Sequence, residues 1–69
     1  MPAVNLRHIE IFHAVMTTGN LIEAARMLYT SQPTVSRELA RFEKGLGLQL
    51  FVRTRGRLKP TVQGLRLIE

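Results

Sequence analysis

Cysteine and tryptophan are missing from this chain, as are long apolar runs, and acidic residues number half the basic ones. Without cysteine there is neither a disulfide framework nor a thiolate metal site. No apolar stretch approaches the roughly 18 residues that a membrane span needs. The start, Met1-Pro2-Ala3-Val4-Asn5-Leu6, lacks the charged-then-apolar layout of a secretory signal. The expectation is therefore a cytoplasmic protein. Aromatic residues are scarce, and packing or turn placement accounts for Phe12, Tyr29, Phe42 and Phe51, so no stacking platform for RNA remains. A length of 69 residues leaves room for one domain, only marginally stable by itself. With 45% hydrophobic residues the chain still has the material of a core, which argues against disorder.

Positive charge is what the chain has in excess. Ten Lys and Arg face five Asp and Glu, for a net charge of +5. Up to Thr30, Arg7 and Arg26 balance Glu10 and Glu23. From Ser31 to Leu50 one positive charge is left over. From Phe51 onward Arg53, Arg55, Arg57, Lys59 and Arg66 oppose Glu69 alone. Charge concentrated at one end favours a polyanionic partner. A basic amphipathic module for anionic membranes would instead carry its charge on a helix with a long apolar face.

Helix dominates the first two-thirds of the pattern. Asn5 is an N-cap residue, followed by Leu6, Ile9, Phe12 and Val15 or Met16 at helical spacing, with Gly19 as the stop. On this stripe Ile11 and Ala14 point away from the core, toward a possible contact with a later helix, and His13 lies beside the apolar face, partly buried. A second helix starts at Asn20, with Glu23 completing a capping-box-like pair and Leu21, Ala24, Ala25 and Leu28 facing inward. Met16 and Met27 read as core filler. A third helix starts at Ser31 with Pro33 in its first turn, carries Val35, Leu39 and Phe42 as a core stripe, and ends near Lys44 with Gly45 as the left-handed residue. Leu50-Phe51-Val52 is then a short strand, Thr54-Arg55-Gly56 a turn, and Arg57-Leu58-Lys59 a return strand ending at Pro60. Thr61 caps a further helix in which Val62, Leu65 and Ile68 face inward, and no stop signal precedes Glu69.

The span Leu21 to Ala40 has the layout of a helix-turn-helix, whose second helix reads duplex DNA from the major groove. At about 100° per residue, Arg37, Arg41 and Lys44 project away from Val35, Leu39 and Phe42, with Thr34 and Ser36 at the edges. Gln32 sits at the N-terminal end, the end that enters the groove. Gln pairs in bidentate fashion with adenine and Arg with guanine, and the Thr34 methyl suits a thymine methyl. Ser31, Ser36 and the first amides of the helix suit phosphate. The alternative for this face is a solvated surface in which Glu38 and Arg41 pair across one turn. Arg53, Arg55 and Arg57 alternate through the hairpin, placed either to follow a groove edge or to protect an edge strand.

No catalytic or metal constellation accompanies these features. His8 and His13 lie five apart on one helix and point in different directions, too few ligands for a metal site even with Glu10 near His13. Ser31, Ser36 and Thr61 lack an adjacent base and orienting carboxylate. The expectation is a binding protein without cofactor or metal, not an enzyme.

Ala24-Ala25, Ser31-Gln32-Pro33-Thr34-Val35-Ser36-Arg37, Leu50-Phe51-Val52-Arg53 and Thr61-Val62-Gln63-Gly64 together resemble the N-terminal domain of LysR-type transcriptional regulators. The runs from Asn5 to Met16 and from Arg55 to Leu58 are similar to members that control lysine biosynthesis through the diaminopimelate decarboxylase gene. The resemblance implies a mainly α winged helix-turn-helix over residues 1–61, with the helix-turn-helix at 21–40 and the wing at about 50–60. Residues 62–69 would begin a linker helix that pairs subunits into a homo-oligomer, ahead of an effector domain. The partner implied is an interrupted palindromic DNA operator. The family's base-reading positions fall on Gln32, Pro33, Ser36 and Arg37, with wing contacts from Arg53 to Arg57. Tyr29 departs from the older helix-turn-helix pattern, which places glycine in that turn.

Overall fold

The computed structural model describes residues 5–67. Three helices, a two-stranded antiparallel hairpin and a fourth helix follow in chain order: α1 (Leu6–Thr18), α2 (Leu21–Met27), α3 (Gln32–Leu46), β1 (Phe51–Thr54), β2 (Arg57–Pro60) and α4 (Val62–Leu67). This is a mainly helical winged helix-turn-helix.

Each helix begins where a short polar side chain replaces a missing backbone partner. Asn5 accepts the Arg7 amide, Asn20 accepts those of Ile22 and Glu23, and Ser31 accepts that of Thr34. The capping box at α2 closes on one side only. The Asn20 amide goes to the Thr18 hydroxyl, while Glu23 turns toward Arg26 at 3.9 Å. Helix α3 runs past Gly45 to Leu46, and Gly47 takes the left-handed conformation, φ +69°, with its amide returning to the last turn. Gly45 is thus an interior helical residue. Glu43, near the end of α3, reaches the next segment, where its carboxylate accepts the amides of Leu50 and Phe51 at 2.6 and 3.1 Å.

The core joins Val35, Leu39 and Phe42 of α3 to Leu21, Ala24 and Ala25 of α2, with Leu50 and Phe51 closing it from the wing. Leu28 and Met16 pack against its edge. Helix α1 enters this core by a different face from the one its spacing suggests. Ile11 and Ala14 are buried together with Phe12 and Val15, whereas Leu6 is 76% exposed and Ile9 is also exposed. Apolar residues surround most of α1, so periodicity did not select a side. The side is set by α2 and α3, which both press on the Ile11–Val15 arc. The same rotation exposes His13, and Met27 lies on the outer face of the short α2.

In the hairpin, Phe51 pairs with Pro60, Val52 with Lys59, Arg53 with Leu58 and Thr54 with Arg57. Arg55 and Gly56 form the two-residue turn with φ of +51° and +77°, the pattern whose twist suits a tight hairpin. One backbone bond fastens the wing to the helical body, the Leu58 amide donating to Gly19 at 3.0 Å, and the Thr61 amide donates to Leu50 at 2.8 Å across the base of the hairpin.

Helix α4 does not bury Val62 and Leu65. Both are exposed, Val62 by 67%, and Ile68 lies outside the described residues. The buried residue of α4 is Gly64, whose missing side chain lets the helix lie directly on the Leu50 carbonyl. Thr61 caps the start of α4, its hydroxyl accepting the Gly64 amide, while backbone proximity, not an apolar stripe, fixes where the helix docks.

Candidate nucleic-acid interface

Viewed down its axis, α3 has three surfaces besides the core stripe. At about 100° per residue, Pro33, Arg37 and Lys44 make an outward ridge, and all three are exposed. Gln32, Ser36 and Ala40 lie on the side that faces the wing. Thr34, Glu38 and Arg41 lie on the side that faces α1. The N-terminal turn is open, because Ser31, Gln32 and Pro33 are exposed ahead of any covering element. Ser31 is already engaged as the cap, and its hydroxyl also meets that of Thr34 at 2.8 Å.

The wing side forms a cleft. Its walls are Ser36, Ala40 and Glu43 of α3 against Phe51, Arg53 and Leu58 of the hairpin, and a continuation reaches Gln32 and Gly56. Arg53 belongs to both parts. Its register opposite Leu58 explains this, since Leu58 packs against the core and cross-strand partners share a face. The three wing arginines therefore do not line up. The turn at Arg55-Gly56 reverses the chain, so Arg53 lies on the helix-facing side, Arg57 on the opposite side beside Thr54, and Arg55 at the tip. Simple alternation along the sequence misses this reversal.

Glu38 has 17% of its side chain exposed and collects three cationic or donor groups. His8 of α1 lies 2.9 Å from one carboxylate oxygen, while Arg41 at 3.2 Å and Arg37 at 3.9 Å share the other. The His8 hydrogen bond, helped by Arg41 and Arg37, holds the Glu38 carboxyl below its ordinary pKa against the opposing effect of burial. The pairing of Glu38 with Arg41 is thus present, and it coexists with an otherwise exposed basic ridge. The His8–Glu38 bridge spans 30 positions in sequence and leaves no local signal. Glu43 holding the wing amides was likewise not legible from spacing.

Tyr29, in the turn between α2 and α3, adopts φ +56° and is 97% exposed. It fills the left-handed position that glycine occupies in the older pattern, with its ring in solvent. Among the described residues no cluster of three or more His, Cys, Asp or Glu could hold a metal, and no helix is long and apolar enough to cross a membrane.

Known proteins share this architecture. The crystal structure of a complex of the CbnR DNA-binding domain with DNA superposes with a TM-score of 0.89 at 31% identity, covering 94% of this chain and 75% of that one. A BenM DNA-binding domain bound to catB site 1 DNA gives 0.87 at 34% identity, covering 93% and 72%. In sequence, the transcriptional activator protein LysR of Escherichia coli (strain K12) is 80% identical over all 69 residues. The HTH-type transcriptional regulator DgcR of a Pseudoalteromonas species is 50% identical over 93% of the chain. The chain spans 22% of the length of each of these two relatives. The family model described as bacterial regulatory helix-turn-helix protein, lysR family, matches residues 6–65. On that match, and on the fold and relatives that agree with it, the chain belongs to the lysR family of bacterial regulatory helix-turn-helix proteins.

Proposed function

We propose that this chain binds duplex DNA sequence-specifically, with α3 in the major groove and the hairpin on the backbone or in the minor groove. The observation that carries the reading is the exposed ridge of α3, with an open N-terminal turn at one end and Arg53 in the cleft beside it. Gln32, Pro33, Ser36 and Arg37 are the base readers in this arrangement. Ser31, Thr34 and Arg41 meet backbone or neighbouring bases, and Arg53, Arg55 and Arg57 meet phosphate from the wing. The related CbnR and BenM domains form crystalline complexes with DNA, which supports the same use here.

Residues 1–61 form the DNA-binding unit in this reading, and residues 62–69 begin a linker helix through which a homodimer grips an interrupted palindrome. An effector domain belongs to the longer protein, which acts in the cytoplasm, where the chromosome is. The 80% identity to a LysR activator supports control of lysine biosynthesis, through the diaminopimelate decarboxylase gene, as the regulated process.

The test is a titration against a palindromic duplex from the protein's own promoter region, beside a scrambled duplex, at two salt concentrations. Preference for the palindrome that persists as salt rises is the expected result. Gln32→Ala and Arg37→Ala should each lose on the order of 1–3 kcal/mol of that preference. Arg55→Ala should weaken both duplexes alike and lower the salt slope by about one. Failure to bind either duplex at low salt overturns the assignment.

A further inference from the structure

The bridge from α1 to α3 adds a layer to the interface, and the inference drawn from it rests on the DNA-binding reading above. We propose that Glu38, anchored by His8, is a positioning residue for Arg41 and Arg37, and that it couples proton uptake at His8 to the grip on DNA phosphates. Glu38 lies on the flank of α3 opposite the wing, next to the ridge. In a groove, that flank faces one phosphate wall and the wing faces the other. A carboxylate at this place repels phosphate and at the same time holds Arg41, the guanidinium best placed to meet it.

The hydrogen-bond chemistry defines how the device works. An ionised carboxylate only accepts, so the His8 Nε2 that lies 2.9 Å from it carries a proton and donates. The other ring nitrogen, Nδ1, is the one that takes up a proton from solvent. Once charged, the imidazolium neutralises Glu38 by itself, and Arg41 exchanges the carboxylate for a phosphate oxygen. With neutral His8, releasing Arg41 leaves a partly buried carboxylate with only the more distant Arg37, at 3.9 Å, as counter-charge. DNA therefore binds more tightly to the protonated form, and by linkage DNA binding draws in the proton.

Several of the other charges on the surrounding elements have partners of their own. Arg7 and Glu10 pair on α1 itself, and Glu23 and Arg26 pair on α2. Glu43 is committed to the Leu50 and Phe51 amides. Lys44 is on the outward ridge, and Arg57 and Lys59 share the outer face of the hairpin. Phe42 supplies the packing that holds the imidazole, with ring centroids 5.5 Å apart.

Fluorescence anisotropy with a labelled random-sequence duplex tests the proposal, because phosphate contacts do not depend on sequence. Wild-type affinity should rise about threefold to tenfold on acidification from about pH 8 to pH 6. His8→Phe keeps the ring contact with Phe42 and removes the proton, so its affinity should stay at the high-pH level throughout. Glu38→Gln should bind more tightly than wild type at about pH 8 and change little on acidification. His13→Gln, an exposed control on the same helix, should keep the wild-type profile. An unaltered pH profile in His8→Phe and Glu38→Gln overturns the proposal while leaving DNA binding intact. Absence of any binding by wild type refutes the DNA-binding reading itself. Should His8→Phe melt before binding can be measured, Glu38→Gln decides alone, since the amide keeps the size of the carboxylate and an oxygen that accepts from His8.

Discussion

Replacing Gly64 with alanine drives a methyl group into the carbonyl of Leu50. A Cβ built there lies 2.3 Å from that oxygen and 3.2 Å from its carbon, whereas real Cβ contacts essentially never fall below 3.0 Å. The flexible end of a side chain would yield, but this neighbour is backbone, and Leu50 is fully buried. Helix α4 must retreat by about 0.7 Å to restore contact. The same carbonyl accepts the Thr61 amide at 2.8 Å, and the Gly64 amide donates to the Thr61 hydroxyl, so the retreat stretches the cap of α4 as well. Overpacking of this kind costs about 1–3 kcal/mol, and a weakened hydrogen bond about 1 kcal/mol more. Against this, alanine gains about 1 kcal/mol of helix propensity over glycine. The net expectation is a loss of about 1–3 kcal/mol, seen as a melting temperature lower by about 4–24 °C for a domain of this size. Thermal unfolding followed by circular dichroism measures it. Gly45→Ala supplies the opposite case: the residue is interior to α3 and nothing lies within 4 Å of its Cβ position, so alanine should stabilise by about 0.5–1 kcal/mol. A Gly64→Ala variant that melts at or above wild type refutes the backbone contact, and a destabilised Gly45→Ala would return the end of α3 to Gly45.

Ile11→Ala should lose about 2–5 kcal/mol, a large share of the few kcal/mol available to a chain this short. The loss should appear equally at all protein concentrations, and a concentration-dependent melt would place Ile11 at a subunit contact instead. Tyr29→Gly should stabilise by about 0.5–1 kcal/mol, because it relieves a left-handed conformation and gives up no packing. A lower denaturation midpoint for that variant would show that the exposed ring makes contacts of its own. Glu38 has a depressed pKa in the folded state, so its contribution is present above the ordinary carboxylate range and is lost as pH falls through the folded value. Acid should therefore lower the melting temperature of wild type more steeply than that of Glu38→Gln, and equal slopes would contradict this. Arg53→Ala should weaken binding to duplex DNA more than Arg57→Ala, since only Arg53 faces the cleft beside α3. Equal losses in a binding titration would count against the register argument.

Local chemistry made much of this fold legible in advance. Asn5, Asn20 and Ser31 announce three helix starts because a cap is a contact between residues two or three apart. Val35, Leu39 and Phe42 announce the buried side of α3 because its other faces are polar, so only one orientation hides the apolar atoms. Arg55-Gly56 announces the hairpin turn. The motif residues from Ser31 to Arg37 and the basic wing carry the family resemblance in the sequence alone.

What the tertiary structure decided concerns contacts between segments that the sequence keeps apart. Helix α1 is apolar around most of its circumference, so only the placement of α2 and α3 could choose Ile11 and Ala14 over Leu6 and Ile9. Helix α4 carries an apolar spacing that suggests burial, yet the glycine within it offered a closer approach and set the docking instead. The wing arginines share a motif but not a face, because the turn reverses the strand between Arg53 and Arg57. His8 and Glu38 carry no mutual signal along the chain and meet only because α1 crosses α3. Periodicity and capping act over a few residues and are written in the sequence. The choice among several apolar faces, and the pairing of distant charges, follow from which surfaces pack together, and that is decided only once the whole chain is folded.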